Sequence, residues 1–184
     1  MAPPSTLLVP EPGYSPIVGS LVAMLGYTRA TTLAAVDGLT AADLEYRQDP
    51  RANSIGALLA HIAAGEWYYL ATTLERRTAE PSEWSDWGAA LRLGPGAESA
   101  IRGRDLAWHQ RRLGALRQRT LDGLRAVNDA WLVEQFEVPW RKQPATNVWA
   151  WYHVGEDELN HRGQIRWLAS RLPSRAAAGA AISG

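Results

Sequence analysis

The sequence predicts an all-α protein, specifically a four-helix bundle with a long crossover between its second and third helices. Apolar residues recur at intervals of three and four in four long stretches, which is the period of an amphipathic helix. No long stretch alternates apolar and polar residues as a half-buried strand does. Residues 77–103 contain Pro, Gly and one short predicted helix over residues 82–91. A connection of this length allows a crossover that joins parallel neighbours.

The first two long helices are bounded by clear start and stop signals. The first is predicted over residues 15–38, with a serine followed by a proline at its start and a glycine at its end. A short helical segment follows Thr40, which is a typical N-cap residue. The second long helix begins at Asn53 or Ser54 and is predicted to reach Arg76.

The last two long helices follow the crossover. The third is predicted over residues 104–127, where leucines form the apolar stripe. A short helix and an irregular stretch lead to the fourth helix, which Thr146 or Asn147 caps and which ends before Pro173.

The length and the ends of the chain predict one domain. A chain of 184 residues fits a single compact domain of ordinary size. We expect the bundle to span residues 14–173. Residues 1–13 are predicted to form a flexible, proline-rich arm, and residues 174–184 a flexible tail of small residues.

Composition excludes several classes of function. The formal net charge is zero, which disfavours nucleic acid and anionic membranes as partners. The chain has no cysteine, so disulfides, a protein thiolate and cysteine-ligated metals are excluded. No apolar run approaches the roughly 20 residues that span a bilayer, and no signal-peptide pattern opens the sequence. We therefore expect a soluble cytoplasmic protein that acts on a small molecule.

One constellation points to metal chemistry. His153, Asp157 and His161 follow one another at intervals of four in the last helix, and i,i+4 side chains share a helix face. His61 lies in the apolar stretch of the second helix. We hypothesise that His61, Asp157 and His161 hold a divalent cation between the two helices. Two imidazoles and one carboxylate suit Zn, Ni, Fe or Mn and leave coordination positions open.

Neighbouring side chains are candidates for supporting roles. His153 and Glu66 are candidate catalytic groups beside Asp157, although a packing histidine and a salt-bridge glutamate are equally compatible with the pattern. Gln164 is predicted to reach the same cavity. The chain has nine tryptophans, and Trp84 and Trp87 of the crossover are candidate walls of a pocket for a cofactor or apolar substrate. Core packing is the alternative for both.

Three further polar residues are predicted to lie at the surface. Glu158, within the run GEDE, is expected on a solvated acidic face, with Arg162 as its i,i+4 partner. His109 is expected to be partly exposed on the third helix.

Several segments carry a family resemblance. NSIGALLAHIAAGEW, NVWAWYHVGEDELNHRGQIRWLASRLP and above all HRGQI resemble the DinB-like, YfiT-like superfamily of helical metalloproteins, which is related to mycothiol-dependent maleylpyruvate isomerase and to bacillithiol transferases. The resemblance implies an up-down-down-up bundle, a homodimer and a metal held by three side chains. Its first ligand matches His61 and its last matches His161.

The middle ligand departs from the family pattern. The resemblance places it at Asp157, where most relatives carry histidine and the maleylpyruvate isomerase-like branch carries glutamate. Two outcomes are open. A His-Asp-His site is retained with a changed metal preference, or metal binding is lost and Asp157 acts as a base oriented by His153 or His161.

Three functions compete. The resemblance implies a metal-dependent transferase or isomerase that uses a low-molecular-weight thiol such as mycothiol, bacillithiol or glutathione. The tryptophan-rich crossover alternatively favours a hydrolase or cyclase of specialised metabolism with an apolar substrate, with or without metal. A non-catalytic, dimeric stress or ligand-binding protein is the third possibility.

Overall fold

The computed structural model describes residues 5–173, and the all-α class is confirmed for them. Between the helices lie a π-helical turn, a 3-10 turn and one antiparallel pair of two-residue strands, β1 and β2. The elements in chain order are α1 (Pro16–Ala35), α2 (Ala41–Leu44), α3 (Ile55–Tyr69), the π turn (Leu70–Leu74), α4 (Pro81–Arg92), α5 (Pro95–Ile101), α6 (Leu106–Arg125), the 3-10 turn (Asp129–Val133), β1 (Gln135–Phe136), β2 (Ala145–Thr146) and α7 (Asn147–Ala169).

The helix starts follow from local capping chemistry. Of the two candidates for α3, Ser54 is the cap, since its hydroxyl accepts a hydrogen bond from the Ala57 N–H at 3.1 Å. Thr146 caps α7 by accepting from the Trp149 N–H at 3.4 Å. In both cases the side chain satisfies a backbone donor that has no partner within the helix.

The start of α1 is capped by a residue that is distant in the sequence. The Ser15 hydroxyl does not cap the helix but donates to Asp129 Oδ1 at 2.6 Å. The same oxygen accepts the N–H groups of Ile17 and Val18, each at 3.0 Å. A carboxylate from a distant turn therefore caps α1, which a sequence pattern cannot reveal.

The crossover is more helical than its sequence suggests. It contains α4, which corresponds to the predicted short helix, and α5, which the sequence analysis missed. Gly94 has a φ of +74°, and Pro95 begins α5 directly after it. The Gly-Pro-Gly sequence resembles a loop, whereas only its first residue leaves helical geometry. The second long helix also ends earlier than predicted, with the π turn separating α3 from Arg76.

Four long helices, α1, α3, α6 and α7, contact one another in a closed ring. Helix α1 contacts α7 and α6, and α3 contacts the same two helices from the other side. Helices α4 and α5 pack against α3, so the crossover covers one flank of that helix. The largest fully buried side chains between these helices include Trp67, Trp151, Leu25, Leu58, Leu59, Leu113 and Ile165.

Helix α1 bears on the prediction that no apolar run approaches the length that spans a bilayer. It is 20 residues long with a mean hydropathy of 1.2, so by length and composition alone it could cross a membrane. Half of that apolar segment is buried against the other helices, and it carries the buried Arg29. Packing within the protein accounts for the apolarity of the buried half, while Ile17 and Met24 of the same helix are exposed.

Part of the predicted N-terminal arm lies along α1. The Glu11 N–H donates to the carbonyl oxygen of Gly19 at 3.1 Å. A Cβ atom at Gly19 would lie 2.9 Å from the Glu11 carbonyl oxygen, so this close approach requires glycine. Residues 1–4 of the arm and the whole predicted tail, 174–184, lie outside the described residues.

Candidate metal centre and its cavity

The structure brings His61, Asp157 and His161 together where α3 packs on α7. His61 Nε2 lies 3.5 Å from Asp157 Oδ2, and His161 Nε2 lies 3.3 Å from Asp157 Oδ1. The two imidazole rings meet edge to face, with centroids 4.8 Å apart. One potential ligand atom from each residue falls within 4.8 Å of the other two. The side chains that the spacing singled out therefore converge on one point.

Hydrogen bonds at the far side of each ring fix which nitrogen faces that point. His61 Nδ1 lies 3.0 Å from the carbonyl oxygen of Ala90 in α4. A carbonyl only accepts, so Nδ1 carries the proton and Nε2 presents its lone pair. His161 Nδ1 has the same relation to Gln164 Oε1, at 3.2 Å. Both imidazoles are thus oriented as metal ligands usually are, by an acceptor behind the ring.

The carboxylate between the rings is held in its charged form. Burial would raise the pKa of Asp157, but His161 and His61 outweigh it and hold the pKa well below its usual range, since a ring that is protonated at Nε2 as well donates a hydrogen bond to the carboxylate. Burial would lower the pKa of His161, and the hydrogen bond with Asp157 raises it instead. At neutral pH the centre therefore attracts positive charge, either a proton on an imidazole or a cation.

The donor set fits a divalent cation. Two imidazole nitrogens and one carboxylate are ligands for Zn, Ni, Fe(II) and Mn. Aspartate is one methylene shorter than glutamate, yet each of its oxygens faces one imidazole. His61 and Asp157 also line a cavity, so the side of the centre away from the helices is open.

The cavity has a volume of about 280 Å³ and a largely aromatic wall. Tyr68, Tyr69 and Trp140 contribute the large rings, with the Trp140 ring 5.0 Å from that of Tyr68. Trp140 belongs to the connection between β1 and β2, which the sequence analysis treated only as the approach to the last helix. The described residues that line this cavity are His61, Ile62, Gly65, Glu66, Tyr68, Tyr69, Leu91, Trp140, His153, Val154 and Asp157.

Trp84 and Trp87, the predicted pocket walls, are absent from that lining. Their rings pack on Trp67 at 5.3 and 5.8 Å. The Arg112 guanidinium lies 3.8 Å from the centre of the Trp87 ring. The tryptophans of α4 thus pack on α3, and the aromatic wall of the cavity comes from other elements.

His153 and Gln164 lie near the centre in different ways. His153 lines the cavity, stacks on Trp149 at 5.1 Å and places Nδ1 3.3 Å from Glu156 Oε2. It therefore pairs with Glu156 rather than with Asp157. Gln164 is exposed and contacts the centre through the far side of the His161 ring.

Glu66 belongs to a second cluster, which we call the arginine cluster: Arg29, Glu66, Arg117 and Glu158. One residue comes from each of the four long helices, and all four are buried. Arg29 lies 2.8 Å from Glu66 and 2.8 Å from Glu158, and Arg117 lies 2.7 Å from Glu66. The cluster holds two positive and two negative groups, so its formal charge is zero.

The arginine cluster corrects two surface predictions. Glu158 is completely buried rather than solvated. Arg162 does not pair with Glu158 but donates a hydrogen bond to the Thr31 hydroxyl of α1. The sequence signal that could have revealed the cluster is Arg29, which continues the apolar stripe of Leu21 and Leu25 at the next interval of four. A charged residue in an apolar stripe needs a buried partner.

His109 is the third surface prediction that the structure corrects. Its side chain is 2% exposed, and its Nε2 has no hydrogen-bond partner within the described residues. Burial, with Arg112 nearby, lowers the pKa of His109 to about 4. It is therefore a neutral core residue.

Comparisons with known proteins agree with this architecture. A family model described as mycothiol-S-transferase matches residues 20–172. A crystal structure of a conserved protein from Enterococcus faecalis is similar in fold, with a TM-score of 0.65 over 82% of this chain and 93% of that one. The two sequences are 16% identical, so this similarity concerns the fold alone. A search of curated proteins finds no match.

Proposed function

The chain belongs to the mycothiol S-transferase family, and on that premise we propose that it transfers a low-molecular-weight thiol to a small electrophile with the help of a divalent cation. The observation that carries this proposal is the convergence of His61, Asp157 and His161 at the edge of an aromatic cavity. The fold is proposed to be the family's up-down-down-up four-helix bundle, which the closed ring of long helices supports.

In this proposal the cation is held by His61 Nε2, His161 Nε2 and the Asp157 carboxylate. A cation held by these three residues would lower the pKa of a bound thiol and so make the thiolate available near neutral pH. The chain contributes no cysteine that could compete for the cation or the electrophile. Mycothiol is the thiol that the family favours, and bacillithiol and glutathione are the alternatives.

The neighbouring groups receive separate roles. His153 is proposed to accept the thiol proton at Nε2, since its ring lines the cavity and its Nδ1 is directed to Glu156. Glu66 is proposed to be structural, because its carboxylate forms ion pairs with two arginines. Gln164 is proposed to orient His161.

Location and partners are also proposals. We propose a cytoplasmic protein that acts on a small molecule. A formal net charge of zero disfavours nucleic acid as a partner. A homodimer follows from the resemblance noted in the sequence and is open to measurement by light scattering.

Metal content and thiol consumption together test this function. We expect the purified protein to carry about one equivalent of Zn, Ni, Fe or Mn by elemental analysis. It should consume mycothiol in the presence of an electrophile, and a chelator should abolish this activity. Asp157→His, which introduces a third imidazole, should also bind metal, and the exposed-site control Asn160→Ala should behave as wild type. Absence of thiol consumption across a panel of thiols and electrophiles would refute the proposal.

A second candidate function is favoured by the aromatic wall alone. Tyr68, Tyr69 and Trp140 would also suit an apolar substrate for hydrolysis, cyclisation or isomerisation. Turnover of an aryl ester or another apolar substrate without any thiol would favour this candidate. Tight binding of an apolar ligand without any turnover would indicate a non-catalytic binding protein.

A further inference from the structure

Tyr69, the last residue of α3, lines the cavity and has a hydroxyl that makes no hydrogen bond within the described residues. Its side chain is about 5% exposed, and the residue lines the same cavity as His61 and Asp157. Its hydroxyl has no hydrogen-bond partner among the described residues, and yet it is not among their fully enclosed unpaired atoms. The hydroxyl is therefore unpaired within the described residues and is not fully enclosed, in a residue that lines the cavity. A phenol in such a place normally finds a partner.

The ring of Tyr69 is fixed on several sides. Phe136, Trp149 and His153 each meet it edge to face, with centroids 6.4, 6.0 and 5.9 Å away. These contacts come from β1 and α7, so the position of the hydroxyl depends on the packed structure and not on a mobile loop. A donor held in this way does not need to reorganise when a substrate binds.

The charges around the hydroxyl favour its protonated form. Burial is the main cause that raises the pKa of Tyr69, and the negative charge of Asp157 raises it further, while Arg141 opposes them. Asp157, which contributes to this shift, belongs to the candidate metal centre and lines the same cavity as Tyr69. At neutral pH the phenol is therefore a hydrogen-bond donor.

We propose that Tyr69 is a catalytic residue that donates a hydrogen bond to an oxygen atom of the electrophile. The substrates favoured by this site are oxygen electrophiles, meaning α,β-unsaturated carbonyl compounds and epoxides. Electrophiles that lose a halide have no such oxygen. This inference rests on the proposed thiol transfer and specifies its substrate class.

The chemistry balances with the thiol as the other reactant. When the thiolate adds to an unsaturated ketone, it forms a C–S bond at the β-carbon, and the π electron pair moves to the carbonyl oxygen. The resulting enolate oxygen accepts the hydrogen bond from Tyr69, and the proton that left the thiol ends on the α-carbon. In epoxide opening, a C–S bond forms, a C–O bond breaks, and the alkoxide takes that proton. In displacement of a halide, the negative charge leaves with the halide and never reaches an oxygen.

The decisive experiment compares two electrophile classes in one variant. With mycothiol and the metal-loaded protein, Tyr69→Phe should lower kcat for 2-cyclohexen-1-one and styrene oxide by about 100- to 1000-fold, the effect expected for loss of one oxyanion donor. The rate with benzyl chloride should change by no more than about twofold. Tyr46→Phe, which removes a hydroxyl that donates to Gln48 outside this cavity, is the matched control and should leave both classes unchanged. Equal losses for both classes, or no loss with the ketone, would overturn the inference.

A binding measurement separates this inference from the proposed function. Acetophenone presents a carbonyl oxygen but undergoes no thiol addition, and its binding to the metal-free protein can be followed by tryptophan fluorescence. Tyr69→Phe should weaken this binding about fivefold, as expected for one hydrogen bond, while toluene binding stays unchanged. If the wild type transfers no thiol, the proposed function fails. The binding result then still decides whether Tyr69 donates a hydrogen bond to a carbonyl oxygen in the cavity. Equal acetophenone affinity in the two proteins would refute it.

Discussion

Two charged clusters both take residues from α3 and α7, and they differ in their exposure to the cavity. The four residues of the arginine cluster, Arg29, Glu66, Arg117 and Glu158, are buried, although Glu66 also borders the cavity. The candidate metal centre, His61, Asp157 and His161, borders an open cavity. Asp157 and Glu158 are adjacent in sequence, yet the Asp157 side chain is 26% exposed and that of Glu158 is 0% exposed.

The difference lies in what surrounds each carboxylate. In the arginine cluster, the guanidinium groups also donate to main-chain carbonyl oxygens: Arg29 to Leu113 at 3.0 Å, and Arg117 to Leu25 at 2.8 Å. Guanidinium groups do not release protons at neutral pH, so both arginines stay charged there and are paired within the cluster. It offers nothing to a ligand.

The metal centre has weaker internal partners. Each imidazole uses Nδ1 for an acceptor behind it and leaves an Nε2 lone pair toward Asp157. Imidazole can exchange its proton for a metal near neutral pH, whereas guanidinium cannot. We infer that the arginine cluster fixes the relative position of the four helices, while the metal centre performs the chemistry. The four predictions below test this division.

The largest effect is expected from breaking the arginine cluster. Glu158→Gln leaves one buried arginine charge uncompensated and should lower the free energy of unfolding by about 3–5 kcal/mol, measured by urea denaturation. Glu156→Gln, on the same helix but with its side chain 43% exposed, should change it by less than about 0.5 kcal/mol. A loss below about 1 kcal/mol for Glu158→Gln would show that the cluster does not stabilise the fold.

Acid should weaken the same cluster. Burial opposes ionisation of Glu66, but Arg117 and Arg29 outweigh it and lower its pKa from 4.5 to about 2. Because the folded pKa lies below the unfolded one, the stabilisation is complete above about pH 4.5 and is lost as the pH falls toward 2. The gap corresponds to about 3 kcal/mol. Glu66→Gln should show a flatter stability profile between pH 5 and 2 by about this amount, and parallel profiles would contradict the assignment.

The metal centre should respond in affinity more than in stability. His161→Ala removes one of three ligands and should raise the Kd for Zn by at least about 100-fold, beyond the effect of losing a supporting partner. The metal-free protein should lose no more than about 1–2 kcal/mol of unfolding free energy. Isothermal titration with a competing chelator measures the first quantity and urea denaturation the second. Unchanged Zn affinity would remove His161 from the site.

The smallest effect on Zn affinity is expected from Gln164, which lies behind the His161 ring. Gln164→Leu removes the acceptor for His161 Nδ1 and should weaken Zn binding about 10-fold. Asn160→Ala, also exposed on α7, is the control and should leave the affinity unchanged. If both variants bind Zn as the wild type does, the hydrogen bond from His161 to Gln164 has no influence on the ligand.

The sequence predicted the members of the metal centre but not those of the arginine cluster. The interval between Asp157 and His161 defines one helix face, the apolar stretch of the second helix offered His61, and the family resemblance supported the set. The run that contains Asp157 and Glu158 gives no such guide, because neighbouring residues on a helix point about 100° apart. Which of them is buried depends on where α1 and α6 lie.

The sequence by itself determined the four long helices, the local caps at Ser54 and Thr146 and the spacing of the candidate ligands, because these depend on interactions between residues a few positions apart. Tertiary structure alone decided the burial of Glu158, the acceptor at Ala90 behind His61, and the contribution of Trp140 to the cavity. The reason is distance along the chain: Arg29 and Glu158 are 129 residues apart and meet only when the long helices pack together. Periodicity shows which face of a helix is apolar, but not which charged partner the packed structure brings to it.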